Sequence, residues 1–260
     1  MDAQVGFSLP ESVGLHVEEG VDVAARTDCD FFELVLDGSG HPNRLPEDLA
    51  NRLADAGLDL VTHLPFAVDV AAPFESQHEG LLDTHRNCLD AAADLGASKA
   101  VLHPSSAAWR FAWSTEEVED AVVDSVGTLH AYAADRGVEL TVENLITSRF
   151  TAENFERLLD RVDADMTFDT GHARAVGFES AEVAAFVAAN RDRISHVHLN
   201  DTLGESDDHL PVGAGIVDFP AVFDALGDDW TGTLCVEAVV GDVGYVEESV
   251  ARVREMFEGN

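Results

Sequence analysis

The sequence predicts a closed (β/α)8 barrel, and three observations carry that prediction. The chain has 260 residues, 46% of them hydrophobic, enough for one sizeable core and close to the roughly 250 residues such a barrel uses. Short apolar runs alternate with longer segments of helical period, the pattern of parallel strands joined by crossover helices. No Pro-, Gly- or Ser-rich linker and no change of composition divides the chain, so residues 1–260 read as a single domain. A doubly wound open sheet is the alternative, but its phosphate-binding fingerprint, G-x-G-x-x-G, is absent after the first apolar run.

Eight strands are expected near Gln4–Leu9, Phe31–Leu36, Asp59–His63, Ala100–His103, Glu139–Glu143, Met166–Asp169, Ser195–Asn200 and Thr233–Glu237. Helices fall between them. Ser76 to Leu95 repeats Leu81, Leu82, Cys88, Leu89, Ala92 and Leu95 at helical spacing and stops at Gly96. Ser114-Thr115-Glu116-Glu117 is a capping box opening a helix that ends by Gly137. Thr151-Ala152-Glu153-Asn154 opens the next, and Glu179–Asn190 and Val243–Phe257 follow.

Charge sets the surroundings. Fifty acidic residues face fifteen basic ones, a net charge of −35, and Lys99 is the only lysine. Apolar content is ordinary, which argues against disorder. So acidic a surface fits a chain kept soluble in a high-salt cytosol, and it repels nucleic acid. No apolar run approaches the roughly 18 residues of a membrane span, and Met1-Asp2-Ala3-Gln4 does not begin like a signal peptide. Cys29, Cys88 and Cys235 are odd in number and have no CxxC spacing, so a reduced, cytoplasmic protein is expected.

In such a barrel, chemistry lies at the C-terminal ends of the strands. Strand two ends near Glu33, strand three at His63, strand four at His103 and strand five at Glu143. Strand six offers Asp169 and His172, strand seven His198 with Asp207 and His209 beyond it, and strand eight Glu237. Imidazoles and carboxylates without a thiolate suit zinc, manganese or iron and argue against a purely structural zinc. Each residue has an ordinary alternative: a core histidine for His63, a salt bridge for Glu143 or Glu237, a capping turn for Asp169–His172, a solvated acidic loop for Asp207–His209. Chance does not readily end six consecutive strands in ligand-type residues. His196 lies two residues before His198 and so points the same way, one layer deeper, as a packing residue. His16, His41, His78, His85 and His130 read as surface residues.

At these residues the sequence resembles the xylose isomerase-like barrel superfamily, which holds sugar and sugar-phosphate isomerases and epimerases and the endonuclease IV type of repair enzyme. The resemblance rests on His63-x-Pro-Phe66, His103-Pro104, Glu143-Asn144, Asp169-Thr-Gly-His172, His198-Leu-Asn-Asp201, Asp207-x-His209 with Gly213-x-Gly215, and Glu237, and it spans essentially the whole chain. In the isomerase branch it implies one divalent ion, manganese, zinc, cobalt or magnesium, held by Glu143, Asp169, His198 and Glu237. That ion would stabilise an enediolate while Glu143 and Glu237 exchange the substrate's carbon-bound proton, with His63, His103 and His172 contacting a small sugar. In the endonuclease IV branch it implies up to three zinc ions on nine ligands: those four with His63, His103, His172, Asp207 and His209. Three departures count against DNA repair. Val5-Gly-Phe-Ser-Leu-Pro10 lacks the Gly-x-His-Val-Ser start, the strand-end loops look short, and basic residues near the mouth are few (Arg44, Arg110, Arg149 and Arg174). A non-catalytic metal- or sugar-binding barrel is a further alternative.

One loop fits either branch. Pro104 to Trp113 sets Trp109, Phe111 and Trp113 around Arg110, a cluster able to stack on a sugar, cap the site or pack on neighbouring helices. Trp109, Arg110 and Arg174 are accordingly expected as substrate contacts.

Overall fold

A computed structural model describes residues 3–9 and 11–258. Eight parallel strands close in sequence order, the last pairing with the first. They are β1 (Gln4–Ser8), β2 (Phe31–Val35), β3 (Asp59–His63), β4 (Lys99–Leu102), β5 (Glu139–Glu143), β6 (Asp165–Asp169), β7 (Ile194–Leu199) and β8 (Thr233–Val236). The chain is a (β/α)8 barrel. Every expected strand is present, with bounds shifted by no more than one residue. Around the barrel lie α1 (Val17–Arg26), α2 (Leu49–Ala56), α3 (Glu75–Leu95), α4 (Thr115–Ala134), α5 (Glu156–Leu159), α6 (Thr170–Ala175), α7 (Ser180–Asn190), α8 (Phe219–Leu226) and α9 (Gly244–Glu258). The connection after β6 holds two helices where the sequence suggested one, because the chain turns at Gly177, whose φ of 102° ends α6. The capping box at Ser114 forms as expected: its hydroxyl accepts from Glu117 N while Glu117 reaches back to Ser114 N.

Strand residues alternate between two environments because the side-chain period is two. Phe32, Leu34, Leu60, Leu102, Leu140, Val142, Phe168, Val197, Leu199, Leu234 and Val236 join the core between sheet and helices. Phe31, Val61, Val101 and Cys235 form a separate apolar layer. Two residues further along the same strands come Glu33, His63, His103 and Glu237, so one hydrophobic floor underlies the polar layer of the site. A bulge adjusts β7: its partner register jumps from Met166↔Ile194 to Thr167↔His196, leaving Ser195 as the extra residue. His196 and His198 thereby keep the same facing.

His85 is a correction. It is buried on the inner side of α3, where Nε2 meets the carbonyl of Val68 at 3.1 Å. Its spacing from Leu82, Cys88 and Ala92 places it on the helix's apolar stripe rather than at the surface. Lys99 lies at the start of β4, its Nζ donating to the Ser195 carbonyl at 2.9 Å and standing 3.3 Å from Glu139. Among the described residues, no helix is long and apolar enough to cross a membrane.

Candidate metal centre

The strand ends bring three buried side chains and the half-buried Glu237 to one point. Donor atoms of Glu143, Asp169, His198 and Glu237 all lie within 4.8 Å of one another. His198 Nδ1 stands 3.1 Å from Glu237 Oε2 and 3.5 Å from Glu143 Oε1. Neither His198 Nδ1 nor Glu237 Oε2 has a hydrogen-bond partner, although both are buried. An imidazole nitrogen ringed by carboxylates and left unpaired is costly unless a cation sits among them. The donor set, one imidazole and three carboxylates, suits a divalent ion that accepts nitrogen and oxygen. These residues therefore fit the metal that the resemblance implies.

Two further groups flank the quartet. His63 Nε2 and His103 Nε2 approach Glu143 Oε2 at 3.3 and 3.1 Å. On the other side, His172 Nε2 and His209 Nε2 approach Asp207 Oδ1 at 3.4 and 2.9 Å. Each trio can hold a metal ion. Three of these histidines turn their other nitrogen to a backbone carbonyl: His63 Nδ1 to Leu64 at 2.7 Å, His172 Nδ1 to Asn144 at 2.8 Å, and His209 Nδ1 to Glu237 at 3.4 Å. A carbonyl only accepts, so Nδ1 carries the hydrogen and Nε2 keeps its lone pair for the cluster.

Local chemistry explains how the loops reach these positions. Asp169 both ends β6 and caps α6, accepting from His172 N at 2.6 Å. Asn200 Nδ2 donates to Asp169 Oδ2 at 2.6 Å, and Asn144 exchanges bonds with the Asp169 backbone. Residue 171 must be glycine, since a Cβ there would fall 1.8 Å from Asn200 Oδ1. The Asp207–His209 loop is tied down by Asp201. Its carboxylate accepts from the backbone N–H groups of Thr202, Gly213, Gly215 and Val217 at 2.9, 3.1, 2.7 and 2.9 Å. Adjacent acids divide the work. Asp208 accepts from Leu203 N, Ser206 Oγ and Thr202 Oγ1 and builds the turn, leaving Asp207 to face the histidines. His209 adopts φ of 44°, the left-handed region that few non-glycine residues occupy.

Charges in the metal-free cluster balance by proton sharing. Burial alone would raise Glu143, but His198 and His103 hold its carboxyl well below the usual range. Burial likewise works against Glu237, yet His198 and His209 bring it down to about 2. Asp169 is pushed up to about 6, chiefly by burial, which His172 only partly offsets. Burial lowers His209, but Glu237, Asp207 and Asp169 outweigh it and raise the imidazole to about 10. The Cys235 thiol is held well above its usual range by burial and so stays protonated.

A cavity of about 350 Å³ opens on this cluster, lined by Ser8, Leu9, Ser12, Val35, Phe66, His103, Glu143, His172, Asp207, His209, Glu237, Ala238 and Val239. No lysine or arginine is among them. Phe66 forms one wall, 4.4 Å from the His63 ring and 5.5 Å from the His103 ring. Four expected substrate contacts do not line the cavity, His63 among them, fully buried against the Phe66 ring. Trp109 is 68% exposed, and Arg110 stacks its guanidinium 4.8 Å over Phe111 instead. The cause is local: aromatics and cation satisfy one another on the loop after β4, whose backbone runs over the barrel rim. Arg174 donates to the carbonyl of Phe178 and pairs with Glu179 at 3.4 Å, closing the turn after α6. Sequence reasoning gave no role to Asn144 or Asn200, though each stands just beyond a strand end, the signal that picks out the candidate ligands, while Glu33, named among the strand carboxylates, lies inside β2 rather than at its end. Ser8 and Val239, also in the lining, carried no signal.

Known proteins share this fold. A D-tagatose 3-epimerase-like protein superposes with a TM-score of 0.84 at 23% identity, covering 98% of this chain and 97% of its own, a likeness of fold. The TTHB071 protein of Thermus thermophilus, soaked with zinc chloride, gives a TM-score of 0.74 at 26% identity over 100% of this chain and 99% of that one. The Uncharacterized protein MJ1311 of Methanocaldococcus jannaschii is 25% identical over 251 residues, 91% of this chain and 84% of the relative. A Probable endonuclease 4 of Mycobacterium leprae is 24% identical over 255 residues, 92% of this chain and 99% of the relative. The family described as Xylose isomerase-like TIM barrel matches residues 21–256, and this chain belongs to it.

Proposed function

We propose that the protein is a divalent-metal-dependent isomerase or epimerase of a small sugar. The observation that carries this reading is the convergence of Glu143, Asp169, His198 and Glu237 at a cavity of about 350 Å³ whose lining holds no basic side chain. Such a cavity suits one uncharged sugar and offers no guanidinium or ammonium clamp for phosphate. A divalent ion on the quartet would supply Lewis-acid polarisation of the substrate's carbonyl and hydroxyl oxygens. Glu143, kept ionised by the surrounding imidazoles, takes the proton from the carbon beside the carbonyl, and Glu237 returns one. His103 and His172 present ring nitrogens to sugar hydroxyls, Phe66 supplies an apolar face for the ring, and the hydrophobic layer beneath excludes water. The single-domain organisation and a soluble, high-salt setting belong to the same proposal. The likenesses to a D-tagatose 3-epimerase-like protein and to a zinc-soaked barrel are consistent with it.

The test combines metal content with isotope exchange. Protein purified in high salt is expected to carry about one divalent ion per chain and to exchange solvent deuterium into a ketose, and Glu143→Gln is expected to abolish the exchange. Absence of exchange from the metal-loaded protein with a panel of ketoses would refute the isomerase reading.

A second reading has its own support. The His63–His103–Glu143 and His172–Asp207–His209 trios complete a nine-residue set able to hold up to three zinc ions, and a Probable endonuclease 4 aligns over nearly the full chain. Close-set metals of this kind activate water against a phosphodiester. About three zinc ions per chain, together with cleavage of an abasic duplex, would establish that reading in place of the first.

A further inference from the structure

His198 is held differently from the other histidines of the centre. His63, His172 and His209 each turn Nδ1 to a backbone carbonyl, whereas His198 turns Nδ1 inward to the carboxylates and Nε2 outward to a side chain. That side chain is Glu33, fully buried, with Oε2 3.4 Å from His198 Nε2. The same oxygen lies 3.0 Å from His196 Nε2, off the hydrogen-bond direction, and Glu33 Oε1 has no partner. His196 is anchored in turn by Thr233 Oγ1, 2.6 Å from its Nδ1.

We propose that Glu33 is a positioning residue for the metal centre, fixing His198 as the Nε2–H tautomer so that Nδ1 is its metal-binding atom. A carboxylate only accepts, so a ring nitrogen that faces one with no cation between them must carry hydrogen, which is the case for His198 Nε2 once a metal ion lies among the carboxylates at Nδ1. A neutral imidazole has one N–H. Placing it at Nε2 leaves the Nδ1 lone pair directed at the point where Glu143, Asp169 and Glu237 converge. The opposite tautomer would drive a hydrogen into the ligand cluster and set an Nε2 lone pair against a buried carboxylate. A carboxylate behind a metal-bound imidazole also raises its basicity and strengthens the bond. A side chain makes this contact: His198 reaches across the barrel interior to β2, 165 residues earlier in the chain. His196 is the second ring beside the same oxygen, 3.0 Å from it in the layer below.

The inference rests on the metal-ion part of the proposed function and not on any substrate. The test pairs a variant with a measurement on the unaltered protein. In Glu33→Gln, the zinc dissociation constant, read by chelator competition, is expected to rise by about 10–100-fold, with Glu33→Asp recovering part of the loss. Nitrogen-15 NMR of histidine-labelled, zinc-loaded wild type is expected to show His198 metallated at Nδ1 and protonated at Nε2. Zinc bound through His198 Nε2 would overturn the proposal. So would a folded Glu33→Gln with wild-type zinc affinity, the result expected if Glu33 only fills space. If Glu33→Gln does not fold, the wild-type spectrum decides alone. If the wild type binds no divalent ion, the metal reading fails and the role of Glu33 falls with it, an outcome distinct from zinc bound through Nε2 or from wild-type zinc affinity in Glu33→Gln.

Discussion

Replacing Asp201 with asparagine separates the loop that carries Asp207 and His209 from the quartet beneath it. Asp201 Oδ2 accepts from Gly213 and Gly215, and Oδ1 accepts from Thr202 and Val217. Asparagine keeps one accepting oxygen and puts an NH2 group, itself a donor, against the other two N–H groups. Each buried donor left unsatisfied costs about 1–3 kcal/mol. Gly213 and Gly215 sit at exposed positions, where water can partly replace the lost acceptor, so the net cost is about 2–4 kcal/mol. At roughly 2–4 °C per kcal/mol for a chain of this size, the melting temperature should fall by about 4–16 °C. The backbone bridge between Asp201 and Leu210 survives, so the loop loosens rather than unfolds. Urea titration followed by tryptophan fluorescence measures the stability, and metal analysis follows the ligands. The expected variant keeps an ion on Glu143, Asp169, His198 and Glu237 but weakens any ion bound by His172, Asp207 and His209. A stability loss below about 0.5 kcal/mol, or loss of the quartet's ion with the outer one retained, would refute the reasoning.

Further outcomes follow from the same geometry. Gly215→Ala would set a Cβ 2.2 Å from the Thr202 carbonyl and 2.4 Å from Asp201 Oδ1; overpacking of this kind costs about 1–3 kcal/mol, and an unmoved urea midpoint would contradict it. The metal-free protein holds His209 protonated up to about pH 10, despite burial, through Glu237, Asp207 and Asp169. A metal ion must displace that proton, so affinity rises with pH and binding releases protons, measured by calorimetry in buffers of different ionisation enthalpy. For the stability of the metal-free form the sign is opposite. A folded pKa raised above its unfolded value contributes fully below about pH 6.5 and is lost as pH rises towards about 10, so alkali should destabilise the metal-free form more than the loaded one. With a net charge of −35, self-repulsion should ease as salt screens it; a melting temperature that does not rise from 0.1 to 2 M potassium chloride would contradict this.

Much of the barrel is legible because two periodicities survive in the sequence. Apolar residues at helical spacing mark α3 and α9. Short apolar runs mark the strands, whose last inward residue is a ligand type on six of them. Strand parity then places Glu33, His63, His103 and Glu237 one step beyond Phe31, Val61, Val101 and Cys235, with no tertiary information needed. His85 escaped because its helical stripe contains a polar ring, and the eye takes polar for exposed. The helix α6 escaped because its six residues, Thr170–Ala175, are too few to show a helical period before the turn at Gly177.

The sequence by itself determined the fold, the level of the candidate site and the chemical type of the residues gathered there. Strand period and strand-end position are local properties, written within a few residues. Only the tertiary structure decided which atoms meet. Trp109, Arg110 and Arg174 are long side chains on loops, and each found a partner close by instead of the cavity. Glu33 and His198 lie 165 residues apart, and no local pattern links them. Their contact exists because the barrel closes, bringing β2 and β7 across one interior where a buried carboxylate stands behind a buried imidazole.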